Sequence, residues 1–301
     1  MNAGLIGLGD LSLKYVKGLA LNNFFYLVAV SDNNKNAAGR LSYPEQRYYE
    51  SYKEMIEEEN LDYVIICSPL SLRFEEARYA LEHNVNVICE SPLSTSKKEI
   101  DELMNLAKKK NLVFNTIYHF QNGEEVRQFN KLFDPRKIQR IEVNINNPYS
   151  KDGLNIDDNK LDLEGCYLDS AVNILSMIKL WLPFNSIKLV NREDVNAKNV
   201  DTPIYVKVNC LIDNIPVVFS IDWREDVDNK VTYLTYDNKP LTIYHSSQEI
   251  IYGDWKYTFN AMDRLTRHYY NYFSSFDGLS NFEMTKKIHE VLFKFDSNDH
   301  Q

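Results

Sequence analysis

Residues 6–12 read Ile6-Gly7-Leu8-Gly9-Asp10-Leu11-Ser12. They close an apolar run that begins at Ala3, and they open a helical stretch. Two glycines one residue apart between a strand and a helix meet the dinucleotide fingerprint, with serine at the third small position. Gly7 permits the tight turn. Gly9 lets the backbone approach a pyrophosphate, which then rests on the amides of the loop, Asp10 and Leu11 among them, at the helix N-terminus. Ser12 is small enough for close packing of helix on strand. Alone the motif is weak, because glycines in turns are common. Its context strengthens it. A second apolar run, Leu27-Val28-Ala29-Val30, ends in Ser31-Asp32, and Asp32 stands twenty residues after Ser12. An acidic side chain there accepts hydrogen bonds from the adenosine ribose hydroxyls and repels a 2′-phosphate, so NAD is expected over NADP.

Outward from the loop, the first 120 residues alternate short apolar runs with amphipathic stretches. The runs are 3–7, 26–31, 63–67, 85–89 and 112–115. Phe74, Ala77 and Leu81 share one helical face, and Ile100, Leu103 and Ala107 share another. Unbroken apolar strands alternating with helices imply a parallel sheet covered on both faces. After Phe120 the period changes. Ile141, Val143 and Ile145 alternate with polar residues, as do Ile204 to Cys210 and Val217 to Trp223, which signals strands with one buried face. Asp213-Asn214 reads as a hairpin turn. Further strands are expected over 231–236 and 241–244, and helices over 124–133, 165–180 and 284–295. The expected fold is α/β: a doubly wound Rossmann domain over 1–120, then an α+β domain over 121–301 with an open, largely antiparallel sheet. Its uncovered face, with Phe219, Trp223 or their alternating neighbours on it, is expected to support self-association.

Composition sets limits. The chain has 301 residues, 44% of them hydrophobic and 26% charged, with a formal net charge of −9. That charge argues against direct nucleic-acid binding. No apolar run reaches the ~20 residues needed to span a bilayer. Cys67, Cys89, Cys166 and Cys210 are scattered without metal-type pairing, so they read as reduced residues of a cytoplasmic protein.

These residues, with three further segments, resemble the glucose–fructose oxidoreductase and inositol dehydrogenase (Gfo/Idh/MocA) family. Leu61 to Pro69 looks like its third strand and the Thr-Pro turn after it, with Ser68 for threonine. Ala77 to Glu90 looks like the helix and strand that lead into its Glu-Lys-Pro motif. Phe114-Asn115 resembles the strand that leads into its second domain. The resemblance implies that Ser68 and Pro69 border the cofactor, that Glu90 lies near the nicotinamide ribose, and that the Ser91-Pro92 bond is cis.

The resemblance also marks departures. Ser91 stands at the family's catalytic lysine. Its Gly, Asp, His, Asp helix motif aligns with Gly165, Asp169, Asn173 and Ser176, so the histidine and second aspartate are missing. Arg73 stands at another usual histidine. Transfer of hydride to or from a carbinol carbon needs a proton transfer at its oxygen, and serine and asparagine do not titrate near neutrality. Losing a general acid–base costs ~10²–10⁴ in rate. The substitutes are His119 and Tyr118, which follow the last parallel strand, where ligands of open α/β sheets bind. Asp169 and Tyr167 lie on the cleft helix, and Asn173 is suited to hydrogen-bonding a substrate hydroxyl. Two functions are expected from the resemblance: an NAD-dependent oxidoreductase of sugars, cyclitols or related polyols and ketones, or a dinucleotide-binding sensor without turnover. No spacing suggests a metal site.

Overall fold

Valine, isoleucine and alanine crowd the first strands, as burial on both faces requires. These strands are β1 (Asn2–Ile6), β2 (Tyr26–Ser31), β3 (Arg47–Tyr49), β4 (Tyr63–Ile66), β5 (Asn86–Glu90) and β6 (Phe114–Ile117). They form one parallel sheet in the order β3-β2-β1-β4-β5-β6. The order reverses direction between β1 and β4, the place where such sheets bind ligands. This computed structural model describes residues 1–40, 46–259 and 262–296.

Helices α1 (Ser12–Ala20), α2 (Tyr52–Glu58), α3 (Leu70–Glu82) and α4 (Lys97–Lys110) connect the strands. Ser51 and Ser96 cap α2 and α4 through their side chains. Asn111 closes α4 in the left-handed conformation. The chain divides into two compact units, one of Met1–His119 with Leu265–Lys286, the other of Phe120–Arg264 with the residues from Lys287 on. The sequence reading kept 265–286 with the second half. The fold instead returns this segment to the first unit. Its helix α7 (Arg264–Ser274), which the sequence reading did not anticipate, places Tyr269 and Phe273 in one core with Tyr15, Val16 and Leu19 of α1 and with Leu5, Val30, Ile65 and Ile88 of the sheet. Gly18 is needed there: a Cβ on it would stand 2.8 Å from the Tyr269 Cβ.

The second unit contains helices α5 (Glu124–Leu132), α6 (Cys166–Lys179) and most of α8 (Phe282–Lys294). Its strands are β7 (Ile138–Asn146), β8 (Ile187–Asn196), β9 (Pro203–Ile212), β10 (Ile215–Asp222), β11 (Asn229–Tyr236), β12 (Lys239–Tyr244), β13 (Glu249–Tyr252) and β14 (Trp255–Thr258). They form one sheet in the order β14-β13-β12-β11-β7-β10-β9-β8, antiparallel except where β7 meets β10. Asp213-Asn214 and Asp237-Asn238 turn two of its hairpins, all four residues at positive φ. Short polar side chains tolerate that region, and its twist matches that of paired strands.

Ile141, Val143, Ile145, Val206, Val208 and Val217 are buried on the α6 side of this sheet. Phe219 and Trp223 are fully buried as well, so neither lies on the uncovered face. That face carries Glu142, Asn144, Lys207, Asn209, Val218 and Ser220, a mixed and mostly polar row. All four cysteines are free thiols. Among the described residues no helix is long and apolar enough to cross a membrane, and no cluster of His, Cys, Asp and Glu could hold a metal ion.

Candidate functional site

β1 ends at Ile6, and Gly7 turns the chain at φ +91°. A side chain at that φ is strained, and a Cβ on Gly7 would stand 2.8 Å from the Ser68 nitrogen. The loop therefore lies directly on the turn after β4. At Gly9 the opposite holds: an added Cβ would meet nothing within 4 Å. The protein leaves this side of the loop open. Ser12 returns its amide and its hydroxyl to the Gly9 carbonyl at 3.1 and 2.7 Å, which fixes the first turn of α1. No side chain caps α1 and no acidic residue occupies its first turn, so its positive end meets no carboxylate of its own. Asp10 is exposed and Leu11 packs against the core.

Asp32 follows β2 and reaches back to this loop. Its Oδ2 accepts the Leu8 amide at 2.7 Å, and its Oδ1 accepts the Asn34 amide at 2.8 Å. The Tyr48 hydroxyl holds its carbonyl at 2.6 Å. A carboxylate has about four acceptor positions, so two remain for ribose hydroxyls. An open glycine face, uncapped helix amides and a fixed carboxylate fit a dinucleotide.

The turns after β4 and β5 are clamped together. Arg73, buried on α3, donates from Nε to the Ser68 carbonyl at 2.9 Å and from Nη1 to the Pro92 carbonyl at 2.6 Å. Arg73 thus occupies its position as a backbone tie. Pro69 begins α3, and Ser91-Pro92 is cis. Ser91 is buried with no hydrogen-bond partner for its Oγ. Glu90 turns inward: its Oε1 accepts the hydroxyls of Tyr15 and Tyr269, and its Oε2 accepts the Ser91 amide at 2.9 Å. One turn beyond Arg73, Glu76 is buried with Oε2 unpartnered. Burial pushes its carboxyl up to about 7, against the pull of the Ser68 hydrogen bond and Arg73.

Tyr118 and His119 end the first run of this unit. Tyr118 is buried, and burial pushes its phenol up although side-chain hydrogen bonds with Thr285 and Thr116 pull it down. A phenol so raised is a poor proton donor near neutrality. His119 Nδ1 lies 3.1 Å from His268 Nδ1, and the two rings stack. One ring must donate and the other accept, so the pair holds complementary tautomers or a single shared charge.

In the second unit Gly165 precedes α6 at φ +95°, and a Cβ there would collide with Thr202. Asp169 lies in the first turn of α6. Its Oδ2 accepts the Ser170 hydroxyl at 2.8 Å, and Ser170 in turn receives Asn147 at 3.4 Å. One turn on, Asn173 is 5% exposed and its Oδ1 has no partner. Ser176 is spent on the Asn173 carbonyl. Tyr167 donates to the Leu292 carbonyl beneath the Arg192 guanidinium, so it serves the core.

Sequence reasoning missed Lys230. It sits on β11, paired with Ile145 and therefore on the α6 side of the sheet, and it is 5% exposed. Its Nζ pairs with Asp228. Burial and the Arg264 guanidinium bring its amine down to about 8, against Asp228 and Asp169. The signal was present: Lys230, Thr232 and Leu234 share one strand face by period two. The expected strand began two residues late, at Val231, which left Lys230 just outside it. His245 carried no site role in the sequence reading. It bridges Glu125 and Thr232 at 2.9 and 2.8 Å, fully buried, and so closes a structural network.

Residues 1–118 match the model of an oxidoreductase family with an NAD-binding Rossmann fold. This part of the chain is similar to the Gfo/Idh/MocA family. The Gfo/Idh/MocA likeness extends beyond it. An uncharacterized oxidoreductase of Bacillus subtilis, YrbE, is 22% identical over 262 residues, covering 83% of this chain and 68% of its own length. A myo-inositol 2-dehydrogenase of Thermotoga maritima is 22% identical over 261 residues, covering 84% and 70%. Among solved structures, a 3-ketoreductase from Actinomadura kijaniata in complex with TDP-benzene and NADP superposes with a TM-score of 0.79 at 15% identity, covering 97% of this chain and 95% of that one. Both units thus have the fold of known oxidoreductases.

Proposed function

We propose that this chain is an NAD-dependent oxidoreductase that interconverts a carbinol and a ketone on a sugar, cyclitol or related polyol. The observation that carries the cofactor half is Asp32 fixed by the Leu8 amide beside the open face of Gly9. Gly7, Gly9, Asp10 and Leu11 would hold the diphosphate, Ser68 and Pro69 would border it, and Asp32 would take the adenosine ribose. Asp32 favours NAD because a 2′-phosphate would face a carboxylate already fixed in place. Bound dinucleotide supplies or accepts the hydride. Glu90 serves by anchoring the end of β5, and Ser91, next to it, offers a hydroxyl that does not titrate near neutrality. In the second unit Asn173 Oδ1 is an acceptor suited to a substrate hydroxyl, and Asp169 orients it. The substrate class is supported by the myo-inositol dehydrogenase relative and by a structural neighbour described as a UDP-N-acetylglucosamine 3-dehydrogenase.

Thermal shift tests the cofactor. A ligand at ~100 times its Kd stabilises the native state by ~2.7 kcal/mol. NADH is expected to shift the transition more than NADPH, and no shift with either overturns the reading. Buried Ser91 at the usual lysine position favours a second reading, a dinucleotide sensor without turnover. NADH binding without oxidation or reduction of any polyol or keto sugar would select it.

A further inference from the structure

A carboxyl taken out of water keeps its charge only where cations or hydrogen-bond donors replace the solvent; otherwise it holds a proton. Glu76 has little of either. It shares the buried face of α3 with Leu70, Arg73, Ala77, Ala80 and Leu81. It is 5% exposed, and its Oε2 has no hydrogen-bond partner. The cation one turn away is committed elsewhere: Arg73 Nε donates to the Ser68 carbonyl at 2.9 Å and Nη1 to the Pro92 carbonyl at 2.6 Å. Glu76 reaches the side chain of the same Ser68. Ser68 in turn lies against the glycine loop, since a Cβ on Gly7 would stand 2.8 Å from its nitrogen. Next to it, Cys67 Sγ donates to the Gly7 carbonyl at 2.8 Å. One residue, Ser68, therefore separates a buried acid from the loop assigned to the diphosphate, all within the first unit. Few titratable groups face this carboxyl. Arg73 opposes its proton, and Asp32, fixed on the loop by the Leu8 amide at 2.7 Å, favours it. Tyr52 of α2, Cys67 after β4 and Cys89 of β5 also act with it, and burial raises all three, so they stay neutral near pH 7.

We propose that Glu76 links dinucleotide affinity to pH: the cofactor binds the form of the protein in which this buried carboxyl is neutral, and Glu76 takes up a proton when binding occurs above neutrality. The proposal rests on the dinucleotide reading above and deepens it. A diphosphate beyond Ser68 adds negative charge to a region that already holds Asp32, and like charge favours the neutral acid. In the free chain the group exchanges its proton at about 7, so the bound state exchanges it higher. Below pH 7 the carboxyl is neutral in both states, and affinity does not depend on it. Above pH 7 the free protein is charged and regains a proton on binding. Affinity then falls by up to about tenfold per pH unit until the bound-state value is passed.

Two measurements on the full chain decide this. The first is a fluorescence titration with NADH at pH 6, 7, 8 and 9. The Kd is expected to stay level up to about pH 7 and to rise at least about fivefold between pH 7 and 9. The second is calorimetry of NADH binding at pH 8 in phosphate and in Tris, two buffers with different ionisation enthalpies. Their difference is expected to show net proton uptake, up to about one per site. Glu76→Gln keeps the neutral shape, so it is expected to hold the parent's pH 6 affinity throughout and to take up no proton. Glu76→Leu, also without charge, is expected to lose the pH dependence in the same way, and it decides the matter if Glu76→Gln does not fold. A parent Kd that changes less than twofold from pH 6 to 9, or binding at pH 8 without proton uptake, overturns the proposal. So does the same rise and uptake in a folded variant. NADH binding that ignores pH overturns this proposal alone. No NADH binding at pH 6, where the neutral acid prevails, overturns the dinucleotide reading and this proposal with it.

Discussion

Tyr269 on α7 donates its hydroxyl to Glu90 Oε1 at the end of β5, at 2.6 Å, across 179 residues of chain. Tyr15 of α1 donates to the same oxygen, and its ring stacks on Tyr269 at 4.0 Å. Three elements of the first unit therefore meet on one buried carboxylate. A hydrogen bond to a charged group contributes ~1.5–3 kcal/mol. Tyr269→Phe is expected to lower the unfolding free energy by that amount, read as a fall in the urea midpoint. Combining it with Tyr15→Phe is expected to depart from additivity, because both act on one oxygen. Loss of less than ~0.5 kcal/mol in both single variants would mean that the carboxylate is satisfied otherwise.

The two loop glycines are expected to fail differently. Gly7→Ala forces a side chain into φ +91° and onto the Ser68 backbone, so both stability and NADH binding should fall. Gly9→Ala meets no protein atom within 4 Å, so the thermal midpoint without ligand should not move. NADH affinity should nevertheless drop at least tenfold, as measured by fluorescence titration. Unchanged affinity in Gly9→Ala would place the diphosphate elsewhere.

Asp32→Asn keeps acceptors for the Leu8 and Asn34 amides but removes the charge. The ratio of NADPH to NADH affinity is expected to rise at least tenfold. A ratio that stays constant, measured by the same titration, would remove Asp32 from cofactor selection.

Glu76 gives the first unit a pH dependence. Its folded pKa of about 7 lies above the ordinary 4.5, so the folded state keeps a proton that the unfolded chain releases between these values. The stability from this group is complete below about 4.5 and is lost as pH rises through 7. A shift of this size corresponds to about 3 kcal/mol, at 1.36 kcal/mol per unit. Glu76→Gln is expected to flatten the decline and to raise the urea midpoint at pH 8. A parent protein whose midpoint does not fall between pH 5 and 8 would contradict it.

We also propose self-association through the second sheet. The open face is mixed rather than apolar, so association would rest on polar complementarity around Val218 and its neighbours, and salt is expected to weaken it. Sedimentation at micromolar concentration checks this, and a monomer at low salt would remove it.

The sequence by itself determined the parallel sheet, the glycine loop, Asp32 and the switch to period two after Phe120. Each is written in local spacing, where backbone geometry ties pattern to structure. It also showed that Ser91 and Asn173 cannot titrate, because that is a property of residue type. Only the tertiary structure decided that Leu265–Lys286 returns to the first unit, since no local signal encodes contact across 179 residues. Whether a polar side chain is buried, and beside which charges, was likewise settled by packing. That is why the Glu90 hydrogen bonds, the burial of Tyr118 and Tyr167, and the burial of Lys230, one residue outside its expected strand, came only from the structure.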